Sequence, residues 1–254
     1  MKRKIKKKEI TIGSWITLAH PAIAEIMASE GFDWLVIDLE HSVISLREAE
    51  ELIRVIERHG VVPLVRLSSN DSVQIKRVMD AGAQGVIVPM VNSRDDALAA
   101  VEAVHYPPLG SRGVGLARAQ KYGADFEGYR EWLKKESIVI VQVEHIESVN
   151  NLDKILSVEG VDGFLVGPYD LSGSLGIPGE FEHSEMIRAF NKIQEISSGY
   201  NGAIGFHVVP PNHELVIEKI SKGYTFIAFG TDFIFLGEKC RDELRGLHSR
   251  LASR

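Results

Sequence analysis

The chain alternates short apolar runs with longer segments of helix-like patterning. Strands are predicted at Gly13–Thr17, Trp34–Glu40, Val62–Leu67, Gly85–Met90, Ile138–Glu144, Gly163–Gly167, Ala203–Val209 and Thr225–Gly230. Most of these runs are unbroken rather than alternating, as expected of parallel strands covered on both faces. Helices are predicted between them at Ala22–Glu30, Leu46–Arg58, Val73–Ala81, Arg94–Val104, Tyr129–Lys135, Val149–Leu156, Ser184–Ser197 and Asn212–Lys222. Ser45-Leu46-Arg47-Glu48 has the form of a capping box, and Asp80-Ala81-Gly82-Ala83 and Ser221-Lys222-Gly223 place glycine where helices stop. Eight strand–helix repeats in 254 residues predict a single closed (β/α)8 TIM barrel. The barrel occupies residues 10–254, including a C-terminal helix, behind a basic arm at 1–9. A doubly wound open sheet is the alternative, but Thr17-Leu18-Ala19-His20-Pro21 is no glycine-rich phosphate turn, so no NAD site is expected. His105–Gly128 is the one long connection, a lid, binding loop or interface expected near the barrel mouth.

Composition narrows the function classes. With 44% apolar and 25% charged residues the chain reads as a soluble globular protein, and no apolar run is long enough for a membrane span. The net charge of −6 hides an asymmetry: residues 1–8 hold six Lys or Arg, and the other 23 basic residues face 35 acidic ones, leaving the body at −12. Such a body repels phosphates, so nucleic acid is not an expected partner, and the arm is expected to be a solvated terminus. The basic start leads into Glu9-Ile10-Thr11 rather than an apolar signal core, and the single cysteine, Cys240, fits a reducing compartment; a cytoplasmic protein is expected.

In a parallel barrel, chemistry gathers at the carboxyl ends of strands. Asp38 and Glu40 share one face at the end of the second strand, and His41 begins the loop. Arg66 ends the third strand, pointing into the mouth. Gln142 and Glu144 share a face on the fifth, and the sixth runs through Gly167-Pro168 to Tyr169 and Asp170. Glu144 and Asp170 suit a hard divalent cation, because oxygen ligands on rigid elements fix it. Asp232, at the end of the last strand, is a reserve acid that helix capping would explain equally well. His20, His59, His105, His183, His207, His213 and His248 lack neighbours at ligand spacing, and no His-x-x-x-His or Cys-x-x-Cys suggests zinc. No strand ends in lysine, so neither a Schiff-base lysine nor pyridoxal phosphate is expected.

These residues, with Gly31-Phe32-Asp33-Trp34, Ile37-Asp38-Leu39-Glu40-His41, Val88-Pro89-Met90-Val91, Tyr106-Pro107-Pro108, Arg112-Gly113-Val114-Gly115 and Gly167-Pro168-Tyr169-Asp170-Leu171-Ser172, form an ordered signature. The chain resembles the metal-dependent (class II) pyruvate aldolases of the 4-hydroxy-2-oxoheptanedioate and 2-dehydro-3-deoxyglucarate type, the HpcH/HpaI aldolase family, from Gly13 to about Leu236. The resemblance implies reversible aldol cleavage of a 4-hydroxy-2-oxoacid to pyruvate and an aldehyde through a cation-stabilised pyruvate enolate. It implies His41 as base, Arg66 as the cation facing the enolate, and Glu144 and Asp170 as metal ligands. Gln142 and the backbone at Tyr169 and Asp170 would hold pyruvate, Asp80 would raise the basicity of His41, and dimers would assemble into a hexamer. The ion would be Mg²⁺, with Mn²⁺ or Co²⁺ as alternatives. Ser42-Val43-Ile44 after His41, and an early Arg118 after the Arg-Gly-Val-Gly turn, depart from the family pattern and leave the aldehyde open. Two alternatives use the same barrel: a citrate-lyase-like CoA-thioester lyase, for which Arg112, Arg118 and Lys121 are the basic residues at hand, and a metal-dependent 2-oxoacid decarboxylase. A non-catalytic barrel would be signalled by loss of His41 or Arg66, and both are present.

Overall fold

The computed structural model describes residues 1–252. Eight parallel strands close on themselves in chain order: β1 (Thr11–Ile16), β2 (Trp34–Asp38), β3 (Val62–Arg66), β4 (Gly85–Val88), β5 (Ile138–Val143), β6 (Gly163–Val166), β7 (Ala203–Val208) and β8 (Phe226–Thr231). Each lies within two residues of its predicted ends. The strands are buried on both faces because each separates two apolar layers. The inner layer includes Trp15, Trp34, Val36, Leu64, Ile87, Ile140, Leu165 and Phe226. Trp34 stacks on Phe226 with ring centroids 4.0 Å apart, filling the lower barrel. This works only because Gly13 faces them: a Cβ there would lie 2.0 Å from the Trp34 ring. The outer layer packs the sheet against the amphipathic helices, with Leu52, Ile53 and Ile56 of one helix wholly buried.

The helices are α2 (Pro21–Ala28), α3 (Leu46–Arg58), α4 (Ser72–Asp80), α5 (Arg94–Val104), α6 (Phe126–Glu136), α7 (Ile146–Asn150), α8 (Leu152–Leu156), α9 (Pro168–Ser174), α10 (Ser184–Ser197), α11 (His213–Ser221) and α12 (Asp232–Ala252). The Ser45–Glu48 capping box forms at the start of α3. The single helix predicted over Val149–Leu156 is two short ones, parted at Asn151. Cys240 is exposed on α12.

Two expectations fail on geometry. The basic arm is not a solvated terminus: Lys2–Lys6 forms α1, which closes the amino end of the barrel. Ile5 joins the inner apolar layer, and buried Lys2 donates to the Ser137 carbonyl at 2.7 Å while pairing with Asp162 at 3.1 Å. The long connection after α5 is not at the mouth either. An α-helix following a strand carries the chain back to the strands' amino end, so the loop begins there. Its Arg112 is sealed in that region, 4.3 Å over the Tyr106 ring, donating to the Tyr129 hydroxyl at 2.8 Å and lying 3.9 Å from Asp80. Arg118 reaches the Ala81 carbonyl at 3.0 Å and pairs with Glu57.

Removing one partner of a buried pair strands the other charge, at a cost of about 3–5 kcal/mol. Lys2→Met should therefore lower the unfolding free energy by about 3 kcal/mol in urea titration. A change within about 0.5 kcal/mol, as for an ordinary surface site, would show the arm to be dispensable.

Candidate active site

The mouth is organised around Arg66. The β2–β3 register sets Asp38 beside Arg66, and the carboxylate takes two parallel hydrogen bonds, from Nε at 2.9 Å and from Nη2 at 2.6 Å. Asp38 also accepts from the amides of Glu40 and His41 at 3.0 and 3.3 Å, so it turns the chain out of the strand as well. Burial alone would push the Asp38 carboxyl up, but Arg66 and the two amides together hold it below the ordinary carboxylate range. Below the guanidinium lies Trp15, its ring centroid 4.4 Å from Cζ. The third side of Arg66 meets Glu40, with Nη1 3.3 Å from Oε2. A planar fork held on three sides has one free direction, into the mouth.

Carboxylates crowd that direction. Glu144, just past the end of β5, is buried; its Oε1 accepts the Met90 amide at 2.6 Å and its Oε2 is bonded by the Gln142 side-chain amide. Met90 reaches it only by adopting a left-handed backbone, φ 52°, unusual for a residue with a side chain. Burial, against the Met90 amide and with the nearby charges of Glu40 and Asp170 adding to it, pushes the Glu144 carboxyl up to about 7. Glu40 is likewise pushed to about 7, by burial first, with Arg66 opposing and Asp38 and Asp170 adding. Asp170 enters from the first turn of α9, begun by Gly167 and Pro168. A Cβ at Gly167 would come 3.3 Å from Glu144 Cβ and 3.2 Å from Gln142 Nε2, so glycine there lets β6 close on β5.

The structure thus brings together Arg66, Gln142, Glu144 and Asp170, with Tyr169 exposed at the rim, edge-on to Phe181 at 4.9 Å. His41 stands at the rim with its side chain 60% exposed and Nε2 3.9 Å from Glu40 Oε2. Asp80 is not with them: it ends α4 beside Arg112. Asp232 is spent structurally, accepting from the Thr17 hydroxyl at 2.6 Å and the Thr17, Leu18 and Phe233 amides at 2.8 Å. Strand-end patterning assigns no role to Trp15, Glu40 or Met90. Trp15 could have been found from the period of two, which points it inward one turn of the pleat below the strand's end.

Three carboxyl groups around one arginine favour a cation in their midst. Two of them bear raised proton affinities, and Gln142 Oε1 is sealed from solvent without a hydrogen-bond partner. Oxygen-only donors of this kind fit a hard divalent ion. Among the described residues no group of three or more His, Cys, Asp or Glu is set to enclose an ion unaided. Most of a coordination shell would therefore come from substrate and water.

Residues 11–236 match the HpcH/HpaI aldolase/citrate lyase family. The chain belongs to that family. It is 36% identical over 233 residues to the 2-keto-3-deoxy-L-rhamnonate aldolase of Escherichia coli O157:H7, covering 91% of this chain and 86% of that one. Among solved structures, an HpcH/HpaI aldolase/citrate lyase family protein from Burkholderia cenocepacia J2315 superposes with a TM-score of 0.92 at 29% identity, covering 97% of this chain and 98% of the other. An HpcH/HpaI aldolase from Desulfitobacterium hafniense DCB-2 gives 0.88 at 28% identity, covering 97% and 96%. As in any barrel of the HpcH/HpaI family, the enzyme's chemistry is sought at the carboxyl ends of the strands, where Arg66 and the acids meet.

The raised carboxyl of Glu144 has a consequence for stability. A carboxyl moved from its ordinary 4.5 to about 7 holds a proton in the folded state that the unfolded chain has released. Its contribution is therefore greatest below the unfolded value and is lost as pH rises through about 7. In metal-free buffer, Glu144→Gln should match the parent's stability most closely at pH 5 and gain on it towards pH 8. Urea titrations at the two pH values read this directly, and an unchanged difference would show that the surroundings do not oppose the charge.

Proposed function

We propose that this family member is a divalent-cation-dependent lyase that cleaves a 4-hydroxy-2-oxoacid reversibly into pyruvate and an aldehyde. The observation that carries the reading is Arg66, locked by Asp38 and Trp15 and aimed at a group of carboxylates at the barrel mouth. The similar rhamnonate aldolase supports the reaction class.

Glu144 and Asp170 would hold the cation, Mg²⁺ in the first instance, with Gln142 and the backbone at Tyr169 and Asp170 orienting the oxoacid. Bound there, the ion would act as a Lewis acid on the keto group. In cleavage the C4 hydroxyl gives its proton to His41, directly or through a water, and the C3–C4 bond breaks. Its electron pair moves towards the C2 oxygen as the aldehyde leaves. Arg66 meets the charge that develops on that oxygen, in a site where burial makes a fixed guanidinium effective. His41, exposed at the rim beside Glu40, moves the proton that returns to C3 to make the pyruvate methyl group.

Within one chain Asp80 serves Arg112, so its action on His41 requires a second subunit that brings α4 of one copy to the mouth of another. We accordingly propose a homo-oligomer, a hexamer built from dimers, in the cytoplasm. No helix among the described residues is long and apolar enough to cross a membrane. The CoA-thioester alternative loses its basic surface, because Arg112 is buried, Arg118 pairs with Glu57 and Lys121 with Asp125.

Chelation should abolish turnover and Mg²⁺, Mn²⁺ or Co²⁺ restore it; full activity after exhaustive chelation would rule the reading out. Arg66→Lys should lose about 10²-fold or more in turnover, because an ammonium cannot take Asp38's two bonds and still face the mouth. Proton exchange at the pyruvate methyl, followed by NMR without any aldehyde, should slow by about 10²–10⁴-fold in His41→Ala while Mn²⁺ affinity is retained. Exchange at the parent rate would remove His41 from the mechanism.

A further inference from the structure

The segments that leave the carboxyl ends of the strands carry no fixed positive charge. Residues 17–20, 39–45, 67–71, 89–93, 144–145 and 209–212 each join a strand to the helix after it, and 167–183 pass through the short α9 to α10. None of them is Lys or Arg. The same segments hold six acids, Glu40, Asp71, Glu144, Asp170, Glu180 and Glu182. Of their four histidines one is His41, and the other three cap helices. Nδ1 of His20, His145 and His183 accepts the amide two residues on, at 3.1, 3.2 and 3.3 Å. A ring nitrogen used as an acceptor bears no proton, so these three imidazoles are neutral.

The nearest cations are already answered. Arg66 gives two hydrogen bonds to Asp38 and meets Glu40 at 3.3 Å. Arg47, in the first turn of α3, lies 3.7 Å from Glu51, and Arg94 opens α5 immediately before Asp95 and Asp96. On α4, which the proposed subunit contact would bring, the Lys76 charge acts on Asp80, so this cation arrives with a counter-charge. A divalent ion matches Glu144 and Asp170, but the carboxylate of pyruvate then adds a negative charge of its own. The exposed Glu180 and Glu182 add to the excess. What the rim offers instead is apolar: Leu18, Val43, Met90 and Tyr169, from four different strand ends, are all exposed. A second anionic group on the substrate would meet like charge and no free partner.

We propose that the aldehyde released and taken up at this mouth is uncharged, and that aldehydes bearing a carboxylate or a phosphate are rejected by charge. The proposal rests on the aldolase reading for the reaction, and on the charge of the strand-end segments for the selection.

Two pairs matched in carbon skeleton test it by kcat/KM in condensation with pyruvate and Mg²⁺: butyraldehyde against succinic semialdehyde, and glyceraldehyde against glyceraldehyde 3-phosphate. The neutral member should be favoured by about tenfold or more in each pair, as uncompensated like charge would give. High salt should narrow both ratios by screening the loop charges. Val43 is 96% exposed, two residues past His41. Val43→Arg should cut the ratio of the carboxylate pair severalfold, and Val43→Gln, which adds a polar side chain without charge, should leave it. An anionic aldehyde used as well as its neutral partner would overturn the proposal, whichever chain supplied the cation, and so would a ratio that Val43→Arg leaves unchanged. Failure of the aldol reading shows separately, as absent methyl exchange with pyruvate, and the charge of the mouth is then read without turnover. The chain has one cysteine, so Val43→Cys combined with Cys240→Ser places the single thiol at the mouth. Its reactions with iodoacetate and iodoacetamide share one thiolate, so their rate ratio reports the local charge. Relative to free cysteine, iodoacetate should be slowed severalfold more than iodoacetamide; a ratio equal to that of free cysteine would overturn the proposal.

Discussion

The mouth of this barrel depends on one ion pair. Arg66 would swing between acids if it were free, since both Glu40 and Glu144 attract it. Asp38 removes that freedom with two parallel hydrogen bonds, and the Trp15 ring removes the remaining tilt. A guanidinium fixed before substrate arrives needs no reorganisation as charge develops, which is the main source of electrostatic catalysis. Asp38 is thus a positioning residue, and its register opposite Arg66 is set by the β2–β3 ladder rather than by any loop.

The same neighbourhood is poor for stability. Burying carboxylates together raises their proton affinity, and the folded chain bears that cost whenever they ionise. The cost has a use, because a group of acids that resist ionising alone will ionise around a cation. Met90 shows how far the fold goes to keep the arrangement, adopting a left-handed backbone to deliver one amide to Glu144.

The opposite end of the barrel is managed differently. There Lys2 neutralises Asp162, Ile5 stops the inner apolar layer, and Arg112 is stacked between Tyr106 and Tyr129. These contacts tie the basic arm and the long loop to the barrel's amino end, leaving the strand-end loops that carry His41 and Asp170 free of a structural task. The closed sheet separates stability at one end from chemistry at the other.

Strand positions, barrel closure and the acids of the mouth could be read from the chain because each rests on local rules: unbroken apolar runs, side-chain alternation and residues that end strands. Arg66, Gln142, Glu144 and Asp170 were found in that way, and the family signature supplied roles for them. What could not be read depends on which residues from distant parts of the chain become neighbours. The basic arm looked solvated because its partners, Ser137 and Asp162, lie more than a hundred residues away. The long loop looked like part of the mouth because chain order does not say which end of a barrel a connection reaches until the preceding helix has been run back. His207 was set aside for lack of a nearby ligand, yet closure of β8 onto β1 and β7 brings it beside Trp15. The order of residues is enough to set the barrel and the chemistry available at its strand ends. Which of those groups are desolvated and paired follows only from the fold, since burial and electrostatic environment are properties of neighbours in space.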